Sequence, residues 1–110
     1  MRSAVKSLIV TGTVIACLGT SAWAADAAAG QAVYDKKCKT CHGPTGEGNP
    51  GMAKVLGTTI TPLGSDEVQK MSDADLKKVV TQGKGKMKPV AGLSDADLDN
   101  VVAHVRTLKK

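Results

Sequence analysis

The chain of 110 residues has no phenylalanine, one tryptophan (Trp23) and one tyrosine (Tyr34). A domain of this size is marginal when it must build a core from its own side chains, and large flat apolar groups are nearly absent. The same shortage removes the aromatic platforms on which bases stack. No dense lysine or arginine cluster replaces them, so nucleic acid is not an expected partner. Three cysteines are too few for a disulfide framework. No apolar run reaches the roughly 20 residues that a membrane-spanning helix needs.

The N-terminus reads as a targeting segment. Arg2 and Lys6 give it positive charge, and Leu8 to Leu18 is mostly apolar, interrupted by Thr11, Gly12 and Thr13. Ala22-Trp23-Ala24 then supplies a small-x-small cleavage pattern. We expect residues 1–24 to be a signal peptide that is removed, and residues 25–110 to be one domain without a membrane span, exported to the periplasm. Val14-Ile15-Ala16-Cys17 also resembles a lipobox, which offers an alternative: a lipoprotein tethered to the membrane through Cys17. Cleavage after Ala24 removes Cys17 and Trp23. It also lowers the formal net charge from +5 to +3, since only Arg2 and Lys6 leave.

Two cysteines then remain, in Cys38-Lys39-Thr40-Cys41-His42. A Cys-x-x-Cys pair alone is ambiguous between zinc, a redox dithiol and haem. The directly following His makes it a c-type haem attachment site. Thiols three residues apart share one face of a helical turn, so each can form a thioether to one edge of a porphyrin. The imidazole of His42 is carried under the ring as proximal iron ligand. One covalently held haem c would also supply the apolar bulk that the composition lacks.

The flanking pattern is helical. Asp26 is a good N-cap, and Gly30, Tyr34, Cys38 and Cys41 fall at i, i+4, i+8 and i+11. A helix running through about Thr40 would put Tyr34 on the haem side, as a cofactor-binding residue. Gly30 either marks a close helix crossing or sits near a frayed end. Gly43 to Gly51 holds four glycines and two prolines and is a loop. Met52 to Leu56 reads as one helical turn closed by Gly57, Thr58 to Pro62 as extended loop, and Ser65 to Val68 as another short turn. The pentapeptides Ser72-Asp73-Ala74-Asp75-Leu76 and Ser94-Asp95-Ala96-Asp97-Leu98 are identical. Each has Ser as N-cap and Asp three residues on, a variant of the capping box, with Met71 or Leu93 as staple. The first opens a helix that stops at Gly83. The second opens one whose stripe is Leu98, Val101, Val102, Val105 and Leu108. The fold class is therefore all-α.

A haem iron held by one His has a sixth position. Met87 is the best candidate, isolated in the polar loop Gly83-Lys84-Gly85-Lys86-Met87-Lys88-Pro89 and 45 residues after His42. Met52 is second choice, Met71 is expected to pack as a staple, and His104 to make an interhelix contact.

These segments, with Gly30-Gln31-Ala32-Val33-Tyr34 and the final helix to Leu108, make residues 26–108 resemble a small monohaem class I cytochrome c of bacterial type. The resemblance implies a cytochrome c fold, with N- and C-terminal helices crossing near Gly30 and haem-wrapping loops between. It implies His42 and Met87 as axial ligands, and the carbonyl of Pro50 as partner for the second nitrogen of the ligand His. The family usually places an aromatic in the final helix where this chain has His104.

Motif and resemblance agree on an electron carrier rather than an enzyme. His/Met ligation saturates the iron, and a thioether ligand favours its ferrous form. Lys36, Lys37, Lys39, Lys77, Lys78, Lys84, Lys86 and Lys88 suggest a positive collar that docks acidic redox proteins. A monomer is expected. The alternatives are a gas-binding sensor with a labile Met87, a lipid-anchored subunit of a larger oxidoreductase, and a zinc or dithiol protein.

Overall fold

Asp26 starts the fold as an N-cap, its carboxylate accepting from the amides of Ala28 (2.9 Å) and Ala29 (3.2 Å). In this computed structural model, which describes Gly12 and residues 25–110, six helices follow among the described residues. They are α1 (Ala27–Lys37), α2 (Lys39–His42), α3 (Pro50–Leu56), α4 (Asp66–Gln69), α5 (Asp73–Gln82) and α6 (Asp95–Thr107). The expected leader, with its cleavage pattern and Cys17, lies outside the described residues apart from Gly12. No described helix is long and apolar enough to cross a membrane.

The framework is the crossing of α1 and α6. Gly30 is buried there, and a Cβ on it would lie 1.8 Å from the carbonyl oxygen of Asn100. Only a residue without a side chain lets the two backbones come this near. Gly30 thus marks a close crossing. The amide of Asp26 donates to Asn100 Oδ1 at 2.8 Å and ties down the start of α1 beside it. Tyr34 of α1 and Leu98, Val101 and Val102 of α6 are buried, as is Val68 of α4. Fully burying side chains of this kind stabilises by about 1.5–3 kcal/mol each.

The twin pentapeptides diverge in the fold. Ser94 accepts from Asp97 N at 3.1 Å, while Asp97 Oδ2 accepts from Ser94 N at 3.0 Å, which completes a capping box. Ser72 accepts from Asp75 N at 3.1 Å, without the return bond. One expectation needs correcting: α1 does not run through Thr40. Cys38, at φ −119°, departs from helical geometry, so α1 stops at Lys37 and the motif occupies a separate short helix.

Candidate functional site

Cys38 sits at the junction of α1 and α2, and Cys41 and His42 form the last residues of α2. The amide of Cys38 donates to Tyr34 O at 2.8 Å. Those of Cys41 and His42 donate back to Cys38 O at 3.3 and 3.0 Å. Both thiols are free and half-buried. The following loop closes over the open end of α2. Gly48 N donates to His42 O (2.7 Å), Asn49 N to Cys41 O (2.9 Å) and Asn49 Nδ2 to Thr40 O (3.1 Å). These bonds satisfy the carbonyls that a helix end leaves without partners.

Asn49 also caps α3, its Oδ1 accepting from Gly51 N (3.0 Å) and Met52 N (3.3 Å). Asn followed by Pro is a helix-start signal, so this residue was open to recognition from sequence. Pro50 takes the N1 position and is exposed. His42 Nδ1 is buried with no hydrogen-bond partner. The bond to the Pro50 carbonyl implied by the resemblance is therefore not formed here: Pro50 serves to open α3.

Tyr34 is fully buried and its hydroxyl donates to Gly43 O at 2.5 Å. Its ring lies 4.9 Å from that of His104, tilted by 52°. His104 is itself buried, so it makes the interhelix contact expected of it, with Nε2 lacking a partner. Burial pushes the Tyr34 phenol up to about 12, with the charges of Cys38 and Glu47 adding to the effect. Burial also pushes the Cys38 thiol up to about 11 and holds His42 below the ordinary imidazole range.

Met87 is half-buried in a tight turn at the C-terminal end of α5, where its amide and carbonyl exchange hydrogen bonds with Lys84 (2.9 and 3.0 Å). Gly83, at φ 78°, reverses the chain there. A Cβ at that position would sit 2.5 Å from Met87 O and 2.9 Å from Pro89 Cδ. Met87 makes no hydrogen bond to the motif. Met52 and Met71 are half-buried on α3 and just before α5. Lys36, Lys37, Lys39, Lys78, Lys84, Lys86 and Lys88 are exposed, whereas Lys77 pairs with Asp99.

This donor set fits a covalently attached haem. A neutral imidazole is the form that binds metal, and the desolvation of His42 favours it. No three His, Cys, Asp or Glu side chains among the described residues converge to hold a metal ion. Leu56, Ile60, Leu76, Val79, Val80 and Met87 are each only half-buried, apolar surface of the kind that a macrocycle covers.

A family described as "Cytochrome C oxidase, cbb3-type, subunit III" matches residues 25–105. Cytochrome c-554(547) of Halothiobacillus neapolitanus is 41% identical over 91 residues, which cover 78% of this chain and 100% of that protein. Cytochrome c6 of a Picosynechococcus species is 39% identical over 106 residues, 90% of this chain and 86% of that one. Among solved structures, the KustC0563 c-type cytochrome superposes with a TM-score of 0.63 at 30% identity, over 74% of this chain and 98% of its own.

Proposed function

The chain belongs to the cytochrome c family of haem electron-transfer proteins, and on that premise we propose that it holds a single haem c and passes one electron at a time between redox proteins. The observation that carries this reading is the short helix α2. With its N-cap Cys38, it presents two free thiols and an imidazole whose Nδ1 is already buried away from water. Cys38 and Cys41 would hold the group by thioethers, His42 would bind iron through Nε2, and Met87 would supply the second side-chain ligand. Bound there, haem c supplies Fe(III)/Fe(II) cycling without making a bond to any substrate.

The remaining roles belong to the protein. Tyr34 anchors the residue that follows His42, so the imidazole leaves α2 in a defined direction. Gly48 and Asn49 bond the carbonyls of α2 and keep its end from unwinding. With His42 and Met87 both committed to the iron, no site would remain for a substrate, which favours a carrier over an enzyme. The exposed lysines around the motif and on the Met87 turn (Lys36, Lys37, Lys39, Lys84, Lys86 and Lys88) would steer an acidic partner. We further place the protein in the periplasm as a monomer of residues 25–110, after cleavage behind Ala24.

The test is the visible and near-infrared spectrum of the wild type and of Met87→Ala. The wild type should be low-spin, with a weak sulfur-to-iron band that the substitution abolishes. Survival of that band in Met87→Ala overturns the ligand assignment. Absence of haem from protein matured with the haem-attachment machinery overturns the whole reading.

A second reading has one observation in its favour: the matching family is described as an oxidase subunit. Cys17 would then anchor the domain to a membrane-bound complex. The intact mass of the mature protein separates the two, since a lipidated chain starts at Cys17 and an unlipidated one at Ala25.

A further inference from the structure

Helix α5 is held in place in an unusual way. None of its residues is fully buried. What locates it on the neighbouring protein elements is therefore largely its polar ties. Two such ties reach α6. One is the ion pair between Lys77 and Asp99, both substantially exposed. Pairs of that kind contribute little in water. The other is Arg106, in the last turn of α6.

Arg106 does more than pair with a carboxylate. Its Nη2 and Nε donate to Asp73 Oδ1, the first residue of α5, at 2.8 and 3.2 Å. Nη1 donates to Gln69 O at 2.9 Å, and Nη2 also donates to Met71 O at 2.6 Å. The planar fork thus grips the backbone between α4 and α5 and the start of α5 together, a geometry that the point charge of lysine does not reproduce. Gln69 reinforces the same joint, its Nε2 donating to Leu63 O (2.8 Å) and to Val105 O of α6 (3.0 Å).

The far end of α5 carries the Met87 turn. Every hydrogen bond that residues 83–90 make among the described residues stays within the turn or runs to α5: Gly83 N to Val79 O, Lys84 with Met87, and Val90 N to Val80 O, all at 2.8–3.0 Å. Where α5 sits, the turn follows.

We propose that Arg106 is a positioning residue for Met87, holding the start of α5 on α6 so that the turn at the other end of the helix presents the thioether in a fixed place. The inference rests on Met87 as sixth ligand. Arg106 never approaches the ligand itself, and its influence travels the length of α5.

The test compares holoprotein variants Arg106→Gln, Arg106→Lys and Asp73→Asn with Ser94→Ala, which weakens α6 without touching this joint. The readouts are the pH range over which the sulfur-to-iron band persists and the amide exchange rates of Met87 and Val90. Arg106→Gln should narrow that range and speed exchange at both amides by about tenfold beyond Ser94→Ala. Arg106→Lys should restore less than half of the difference, and Asp73→Asn, which keeps the two carbonyl contacts, should fall between Gln and wild type. Should Arg106→Gln fail to fold, the Lys and Asn variants decide the question by the same two readouts. Exchange and pH range that move no further than in Ser94→Ala, while Met87→Ala still abolishes the band, overturn this inference alone. A band that survives Met87→Ala overturns the ligand reading and this inference with it.

Discussion

The hydroxyl of Tyr34 donates to the carbonyl of Gly43 at 2.5 Å and so joins α1 to the first residue beyond the Cys-x-x-Cys-His motif. The ring that carries the hydroxyl is fully buried and packs on His104 of α6. One side chain therefore connects the helix crossing to the end of the Cys38–His42 motif. Tyr34→Phe keeps the ring and deletes the bond. It should lower stability by about 1–2 kcal/mol, read as a reduced denaturant midpoint with an unchanged slope.

The same residue sets a pH dependence. The phenol ordinarily ionises near 10 and is pushed up to about 12 in the fold, chiefly by burial. Between those values the folded protein holds a proton that the unfolded chain releases. The contribution is thus fully present below about pH 10 and is lost as pH rises towards 12. Denaturant midpoints measured across that window should fall in the wild type. A decline of equal steepness in Tyr34→Phe would assign it to other groups.

At the crossing, Gly30→Ala places a methyl group 1.8 Å from Asn100 O, where no rotamer can relieve it. The helices must separate and Tyr34, Val101 and Val102 lose contact. The expected loss is about 3 kcal/mol, at the upper end for overpacking, measured by thermal or chemical unfolding. An Ala variant within about 0.5 kcal/mol of wild type would mean that the backbones do not approach as described.

The twin pentapeptides provide an internal comparison. Only Ser94 and Asp97 complete the reciprocal box. Ser94→Ala should destabilise by about 1 kcal/mol, and Asp97→Ala should also lower the melting temperature. Asp75→Ala should leave it nearly unchanged, because the Asp75 side chain accepts nothing from Ser72 N. Equal effects at the two aspartates would show that the boxes are alike in solution.

For docking, Lys86→Glu and Lys88→Glu together should slow electron exchange with an acidic redox protein at low ionic strength. Both residues are exposed on the turn that carries Met87. The difference from wild type should shrink as salt shortens the screening length to about 10 Å at 0.1 M and below. A slowing that persists unchanged at high salt would point to a local structural effect instead of steering.

Much of this was legible along the chain because it depends on neighbours in sequence. The caps at Asp26, Ser72 and Ser94, the stops at Gly57 and Gly83 and the valine stripe of α6 all follow from local rules, and each falls where those rules put it. The break at Cys38 was not legible. The i, i+4, i+8 spacing continues through it, and only the observed φ of −119° shows that the helix restarts. The resemblance implies the Pro50 carbonyl as partner for the second nitrogen of His42, which has no partner here. The geometry of that carbonyl depends on how α3 is entered, and there Asn49 and the N1 position take precedence.

By itself, then, the sequence determined the chemistry of the site. Thiol, thiol and imidazole at fixed spacing lie on one short stretch of backbone, and their relation hardly depends on the rest of the chain. Tertiary structure decided what holds that stretch, and the turn that carries Met87, in place. Asp26 meets Asn100 across 74 residues, and Arg106 meets Asp73, Met71 and Gln69 across 33 to 37. Such partners leave no local pattern, because a hydrogen bond between elements depends on how two helices pack and not on the residues beside either end.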